Sequence, residues 1–178
     1  MEKYKIEISV KGLRPLLQNA FTSGQEGKKL LKRGQIYDDQ LEAESRLIKN
    51  KDGIICQPAS HFEASMIKSA VEHKFIGRKS YKDLFKAGVF VHPELIPHKT
   101  QKYVIDKQAV VISKARILRC RPRFDNWELD FTIIIRDERI DPRKVEQVLE
   151  CAGKYHGIGD YRPRYGLFEL TRFDIGEN

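Results

Sequence analysis

Several things are scarce in this chain, and each scarcity narrows the field. Its three cysteines, Cys56, Cys120 and Cys151, are odd in number and show no CxxC spacing. They form no disulfide framework and no cysteine-pair zinc site, and they read as reduced core thiols of a cytoplasmic protein. No stretch reaches the roughly 20 apolar residues that a membrane span requires. From Met1 to Ile6 polar and apolar residues alternate, where a secretory signal would need an apolar block. None of the five histidines (His61, His73, His92, His98 and His156) stands in HxxxH or HExxH spacing, so no metal and no cofactor is expected. Internal repeats, low-complexity tracts and linkers are missing as well. Acids are outnumbered by bases, 25 to 33, for a net charge of +8. What is present is a globular balance, 40% hydrophobic and 33% charged over 178 residues, which suits one domain spanning residues 1–178.

The basic excess is clustered. Between Lys102 and Arg123 stand seven bases and one acid, Asp106. A second run holds Lys74, Arg78, Lys79, Lys82 and Lys86 against Asp83, and a third holds Lys28, Lys29, Lys32 and Arg33. Such patches favour polyanions, nucleic acid above all.

Hydrophobic periodicity predicts the elements. Tyr4, Ile6, Ile8 and Val10 alternate with polar residues, a half-buried strand that Gly12 ends. Residues 13–37 carry Pro15, Gly24, Gly27 and Gly34 with no lasting period, and read as a long loop within an insertion over about 13–57. Leu13, Leu16, Leu17 and Phe21 have too little period to pack within the domain, so this segment is expected to order on a neighbouring subunit or on RNA. A short helix is expected over 39–48 and a short strand over 54–57. Ser60 and Glu63 have capping-box spacing at the head of a helix whose stripe is Phe62, Met66, Ile67, Ala70 and Val71. Next come a short helix over 80–87, a brief strand over 89–91, and a long strand over 109–121. The last is predicted to turn at 122–126 and pair as a hairpin with the alternating strand 127–135. Asp141-Pro142 starts a second long helix, with Val145, Val148, Leu149 and Ala152 buried. A final strand covers 167–173. Apart from the insertion the order is βαββαβ, the ferredoxin-like pattern of an antiparallel sheet with both helices on one face.

Between the last helix and last strand lies GKYHGIGDYRPRYG, from Gly153 to Gly166. It lacks Walker spacing, and it follows a helix and opens a strand, so it is no dinucleotide fingerprint. Gly157, Gly159 and Gly166 permit close backbone approach, while Lys154, Arg162 and Arg164 supply charge for phosphates. Tyr155, Tyr161 and Tyr165 supply flat rings on which bases can stack. The alternative reading is a tight structural connection.

A glycine-rich loop at this point of a ferredoxin-like order resembles the RAMP superfamily, the RNA-binding proteins of CRISPR effector complexes. The stretch Asp52 to Ser60, DGIICQPAS, is similar to that family's turn–strand–Pro-Gly-Ser lead into the first helix, with Ala59 where a glycine is usual. The resemblance implies single-stranded RNA (or DNA) held in a positive groove, with copies of the chain or related subunits stacked along the strand. It leaves room for a stand-alone or phage-borne relative.

Arg116, Arg119, Arg121 and Arg123 add candidate phosphate contacts along one strand, Lys114 and Arg116 on one face and Arg119 and Arg121 on the other. The leading expectation is a non-catalytic RNA binder. One alternative is a metal-independent endoribonuclease with His156 as general base on a 2′-hydroxyl, as in the family's processing ribonucleases. Another is a structural or phage-type assembly protein that uses the same fold. Paired acids Asp38 and Asp39 are a further, weaker cleavage candidate, since some target-cleaving relatives use an aspartate in a comparable loop.

Overall fold

A computed structural model describes residues 4–21, 38–112 and 115–177. Strands β1 (Tyr4–Gly12), β4 (Val89–His92), β8 (Glu128–Ile135) and β9 (Phe168–Glu177) form an antiparallel sheet in the order β4-β8-β1-β9. Helices α2 (Ala59–Ser69) and α4 (Pro142–Cys151) lie in chain order between β1 and β4, and between β8 and β9. The architecture is α+β with antiparallel sheets, compatible with a ferredoxin-like arrangement. Among the described residues no helix is long and apolar enough to cross a membrane.

Alternation does the work that the sequence predicts for it. Ile6, Ile8 and Val10 of β1 are buried beside Leu129, Phe131, Ile133 and Ile135 of β8. Val145, Val148 and Leu149 of α4 join them, and Asp141 caps that helix by accepting from the Arg143 amide at 2.8 Å. Phe62 of α2 is central to the packing, with its ring 4.4 Å from Phe131 and 5.5 Å from Phe168, centroid to centroid. At the far edge a bulge leaves Thr171 between the Ser9–Arg172 and Val10–Leu170 pairs, and the Thr171 hydroxyl donates to the Ser9 carbonyl.

Four expectations need correcting. First, the long basic strand does not pair with β8. Strand β7 (Ala115–Phe124) pairs with β6 (Val104–Ile112) and with β2 (Leu16–Leu17) in a separate sheet. The β-branched run 109–121 contains a reversal between Ile112 and Ala115, which are directly opposed, so one predicted strand is parts of two. Second, Leu16 and Leu17 are fully buried, although the neighbouring Phe21 is 96% exposed. Two residues suffice to fill a core without any period.

Third, Pro58 heads α2 with no side-chain cap, and Glu63 accepts from the Val91 amide at 3.0 Å, tying α2 to β4 and not to Ser60. Because the helix stops at Ser69, Val71 leaves the predicted stripe and is 53% exposed. Fourth, a short strand β5 (Leu95–Pro97) pairs with β3 (Cys56–Pro58) where two prolines suggest a break; an edge position tolerates proline's missing donor. The remaining helices are α1 (Asp39–Ser45) and α3 (Lys82–Gly88). The basic cluster Lys28, Lys29, Lys32 and Arg33, and residues 22–37 of the segment expected to order on a partner, lie outside the described residues.

Truncating Phe62 removes a fully buried ring sandwiched between β8 and β9. Phe62→Ala is expected to cost about 3–5 kcal/mol of stability. Urea unfolding followed by Trp127 fluorescence measures it, and a loss below about 1 kcal/mol would contradict the packing described.

Candidate nucleic-acid interface

Helix α4 does not end where the glycine loop is expected to begin. Its last turn widens into a π-helical turn, Ala152–His156, closed by a bond from the Gly157 amide to the Ala152 carbonyl at 2.8 Å. The chain then leaves through Gly157, which has φ 66°. Ile158 is fully buried, and its amide donates to the Gly166 carbonyl at 2.9 Å. This bond forms the neck of a compact loop over 158–166. Two more bonds pin the loop to the chain before β2 and to β2 itself: Gly166 amide to Pro15 carbonyl, 2.8 Å, and Asp160 amide to Leu17 carbonyl, 2.9 Å.

The glycines are needed at this neck. A Cβ on Gly166 (φ 75°) would overlap the Ile158 carbonyl, and one on Gly159 would stand 2.6 Å from the Leu17 carbonyl. A Cβ on Gly157 would meet the Gly166 carbonyl at 2.8 Å. In this structure their close approaches are to the protein's own backbone.

At the tip, Tyr161, Arg162, Pro163 and Arg164 are all exposed. Tyr161 is 39% exposed with its centroid 6.5 Å from the Tyr165 ring, and Tyr165 accepts a hydrogen bond from Gln108 of β6 at 3.1 Å. Arg121 of β7 reaches the same loop. Its Nε lies 2.8 Å from an Asp160 carboxylate oxygen, and its guanidinium carbon lies 4.7 Å from the Tyr161 centroid. Arg121 therefore braces the loop from below, with only 14% of its side chain exposed.

Arg119 and Arg123 are likewise engaged. Arg119 donates to Glu42 of α1 at 3.0 Å. Arg123 donates to Asp125 at 2.8 Å and to Asp106 at 3.2 Å. Asp125 and then Asp106 raise the pKa of Arg123. The Arg116 side chain falls outside the described residues. Lys154, Arg162 and Arg164 are the candidate cations with no ion-pair partner among the described residues; Lys154 lies 5.3 Å from the Tyr155 ring.

Beside the tip is the first turn of α2. The His61 pKa is lowered by burial and then by the charge of Arg162. The His61 ring nitrogen Nδ1 sits 2.6 Å from Gln57 Nε2. Gln57 belongs to a buried polar cluster: Gln18 donates to Gln57 at 3.1 Å and to the Cys56 carbonyl at 2.8 Å, and approaches His98 at 3.4 Å. His98, stacked 4.6 Å from Phe124, has its pKa pushed down to about 4 by burial. Sequence reasoning missed His61 and this cluster; the strand–proline lead into α2 was the available signal.

His156 is elsewhere. Its Nε2 lies 3.3 Å from Glu72, just beyond the C-terminus of α2, and its side chain is 12% exposed. Asp38 and Asp39 have structural partners. Asp38 caps α1 through the Gln40 and Leu41 amides, while Asp39 pairs with Lys107 and accepts from the Cys120 thiol at 3.3 Å. Burial and then Asp39 push the Cys120 thiol up to about 12, far from reactivity. Cys56 and Cys120 are buried as expected, but Cys151 is half-buried.

No family model matches this chain, and no curated protein does. Among solved structures it is similar to a chain of the Type III-B Cmr-beta bound to cognate target RNA, determined by cryo-EM, with a TM-score of 0.66 at 13% sequence identity. The similarity covers 99% of this chain and 61% of the other, so this chain spans less than two thirds of that neighbour's length. At this identity the likeness speaks to the fold.

His98 gives the site a pH signature. Its folded pKa lies below the ordinary histidine value, so the neutral form is the folded form. As pH falls below about 6.5 the unfolded chain takes up the proton first, and stability is lost progressively down to about pH 4. The loss is about 3 kcal/mol at full extent. Urea midpoints measured from pH 7 to pH 4 should show it. His98→Gln should flatten that part of the profile relative to wild type, leaving the smaller contributions of His61 and His73; an unchanged profile would contradict it.

Proposed function

We propose that this protein is a non-catalytic, single-strand RNA-binding subunit of a CRISPR-effector-like assembly, of the RAMP type, working in the cytoplasm. The observation that carries the reading is the loop tip: Tyr161, Arg162 and Arg164 project from a neck that the protein holds shut with its own backbone bonds. An exposed aromatic followed by two cations that have no ion-pair partner among the described residues suits one stacked base with neighbouring phosphates. The strand order β4-β8-β1-β9 with α2 and α4 between its members supports a ferredoxin-like βαββαβ core, and the loop then sits where the RAMP superfamily carries its glycine-rich loop. The structural neighbour is a chain of a complex bound to cognate target RNA, and this supports RNA and sister subunits as partners.

Within this reading the arginines of β7 have two duties. Arg121 positions the loop through Asp160 and Tyr161. Arg119 and Arg123 extend the positive field along the strand while holding Glu42, Asp106 and Asp125; Arg116, whose side chain is outside the described residues, is a further candidate contact. Lys154 adds charge at the start of the loop, and Lys28, Lys29, Lys32 and Arg33 are further candidate contacts. Gly157, Gly159 and Gly166 serve the site by letting the neck close, which keeps the tip in place. His156, turned toward Glu72 at the C-terminal end of α2, has no part in RNA contact.

Fluorescence anisotropy with a labelled single-stranded RNA at two salt concentrations tests this. Affinity should fall with salt, with a log–log slope of about −0.7 per phosphate contacted. Tyr161→Ala should weaken binding by about 1–3 kcal/mol, Arg164→Ala should reduce both affinity and slope, and His156→Ala should leave binding unchanged. Unaltered binding in Tyr161→Ala and Arg164→Ala would overturn the reading. So would cleavage of the RNA by wild-type protein in EDTA that His156→Ala abolishes while binding survives, which would make the protein a ribonuclease.

A further inference from the structure

The π-helical turn brings together three side chains that the sequence keeps apart. Cys151 and His156 are five residues apart, which a regular α-helix would place roughly 140° apart around its axis. The extra residue of the π turn narrows that angle and directs both toward α2. There they meet Glu72: His156 Nε2 is 3.3 Å from one carboxylate oxygen, and Cys151 Sγ is 3.8 Å from the other. One thiol, one imidazole and one carboxylate thus present ligand atoms that all lie within 4.8 Å of one another.

We propose that Glu72, Cys151 and His156 form a binding site for a single zinc-like divalent cation. Tetrahedral zinc, with bonds of about 2.0–2.3 Å, holds neighbouring N, O and S ligands roughly 3.3–3.6 Å apart. The His156–Glu72 separation already has that value, and with one ligand atom from each residue the three lie within 4.8 Å of one another, so the thiol has to draw in by about an ångström to complete the set. A thiolate with an imidazole favours a borderline-soft ion over magnesium or calcium.

A second observation points the same way. His156 Nε2 is buried and makes no hydrogen bond among the described residues, despite the carboxylate beside it. A buried imidazole nitrogen left without a hydrogen-bond partner is one that a bound cation would satisfy. Glu72, by contrast, is exposed, so solvent can supply the fourth ligand from its side. Binding forms the metal–sulfur bond and releases the thiol proton to solvent, so affinity rises with pH.

The position gives the ion a purpose. His156 is the last residue before Gly157, where the glycine loop leaves the helix. A bound cation would join that point to the end of α2, while the tip beyond it stays held by the backbone bonds of the neck, so RNA contact does not depend on the ion.

The full-length protein, stripped with EDTA in reducing buffer and titrated with Co²⁺, tests the assignment. One equivalent should produce the visible bands of a tetrahedral site and a near-ultraviolet sulfur-to-cobalt charge-transfer band, both displaced by Zn²⁺. Cys151→Ser should abolish the charge-transfer band. Glu72→Gln, a change at an exposed position, should keep the fold by circular dichroism and bind at least tenfold more weakly, as should His156→Ala. Absence of saturable binding at one equivalent overturns the site. So does a charge-transfer band that persists in Cys151→Ser, which would assign the metal to another thiol, or an unchanged affinity in Glu72→Gln. No nucleic acid enters this readout, so its failure and the failure of the RNA reading are separate events.

Discussion

Everything at the candidate interface depends on how α2 covers the apolar face of the four-stranded sheet. Phe62 and Met66 pin its inner face, and Ser69 donates from its hydroxyl to the Val148 carbonyl of α4, so the two helices cannot slide past one another. The ends of α2 then become fixed points. His61 at the first turn lies within the field of Arg162, and Glu72 just past the last turn lies against His156. A helix of eleven residues is about 16 Å long. The six-residue step from His156 to Arg162 can span about 20 Å when extended. His156 and Arg162 thus relate the loop to both ends of α2, and the bond between Ile158 and Gly166 closes its neck.

Charge is distributed with the same economy. A count of bases along 102–123 suggests an open positive strip, yet Arg119, Arg121 and Arg123 each hold a carboxylate. Asp160, Asp106 and Glu42 are far from these arginines in sequence or on the opposing strand, so no local pattern announces the pairs. These pairs are mostly buried, so much of their attraction is offset by desolvation. Their effect is positional: Arg121 cannot leave Asp160 without releasing Tyr161, whose ring it underlies. The net charge of +8 thus overstates the free charge along β7 and understates the loop tip, where Arg162 and Arg164 have no ion-pair partner among the described residues.

Elements whose signal is local were legible in the sequence. β1 and β8 follow from alternation, and α4 from Asp141-Pro142 and a clean apolar stripe. The glycine loop could be located because four glycines stand between two such secure elements. What could not be read was pairing. The strand expected to pair with β8 belongs to another sheet, because the sequence between the opposed Ile112 and Ala115 holds neither glycine nor proline and no turn signal interrupts the β-branched run. Glu63 looked like half of a capping box, but the Val91 amide competed for its carboxylate and won, since β4 has to be joined to α2 in any case.

The same distinction explains the two ends of the loop. Its tip is chemically conspicuous in the sequence because tyrosine and arginine interleave there. Its root is not, because Cys151 and His156 have no recognised spacing and their third partner lies nearly eighty residues upstream. A single inserted residue in the last turn of α4 makes the difference. It closes the angle between Cys151 and His156 and turns the exit at Gly157 toward the neck. A turn that costs hydrogen-bond geometry is retained where it re-aims side chains. Here it re-aims two at once, the imidazole against Glu72 and the backbone that carries Tyr161 outward.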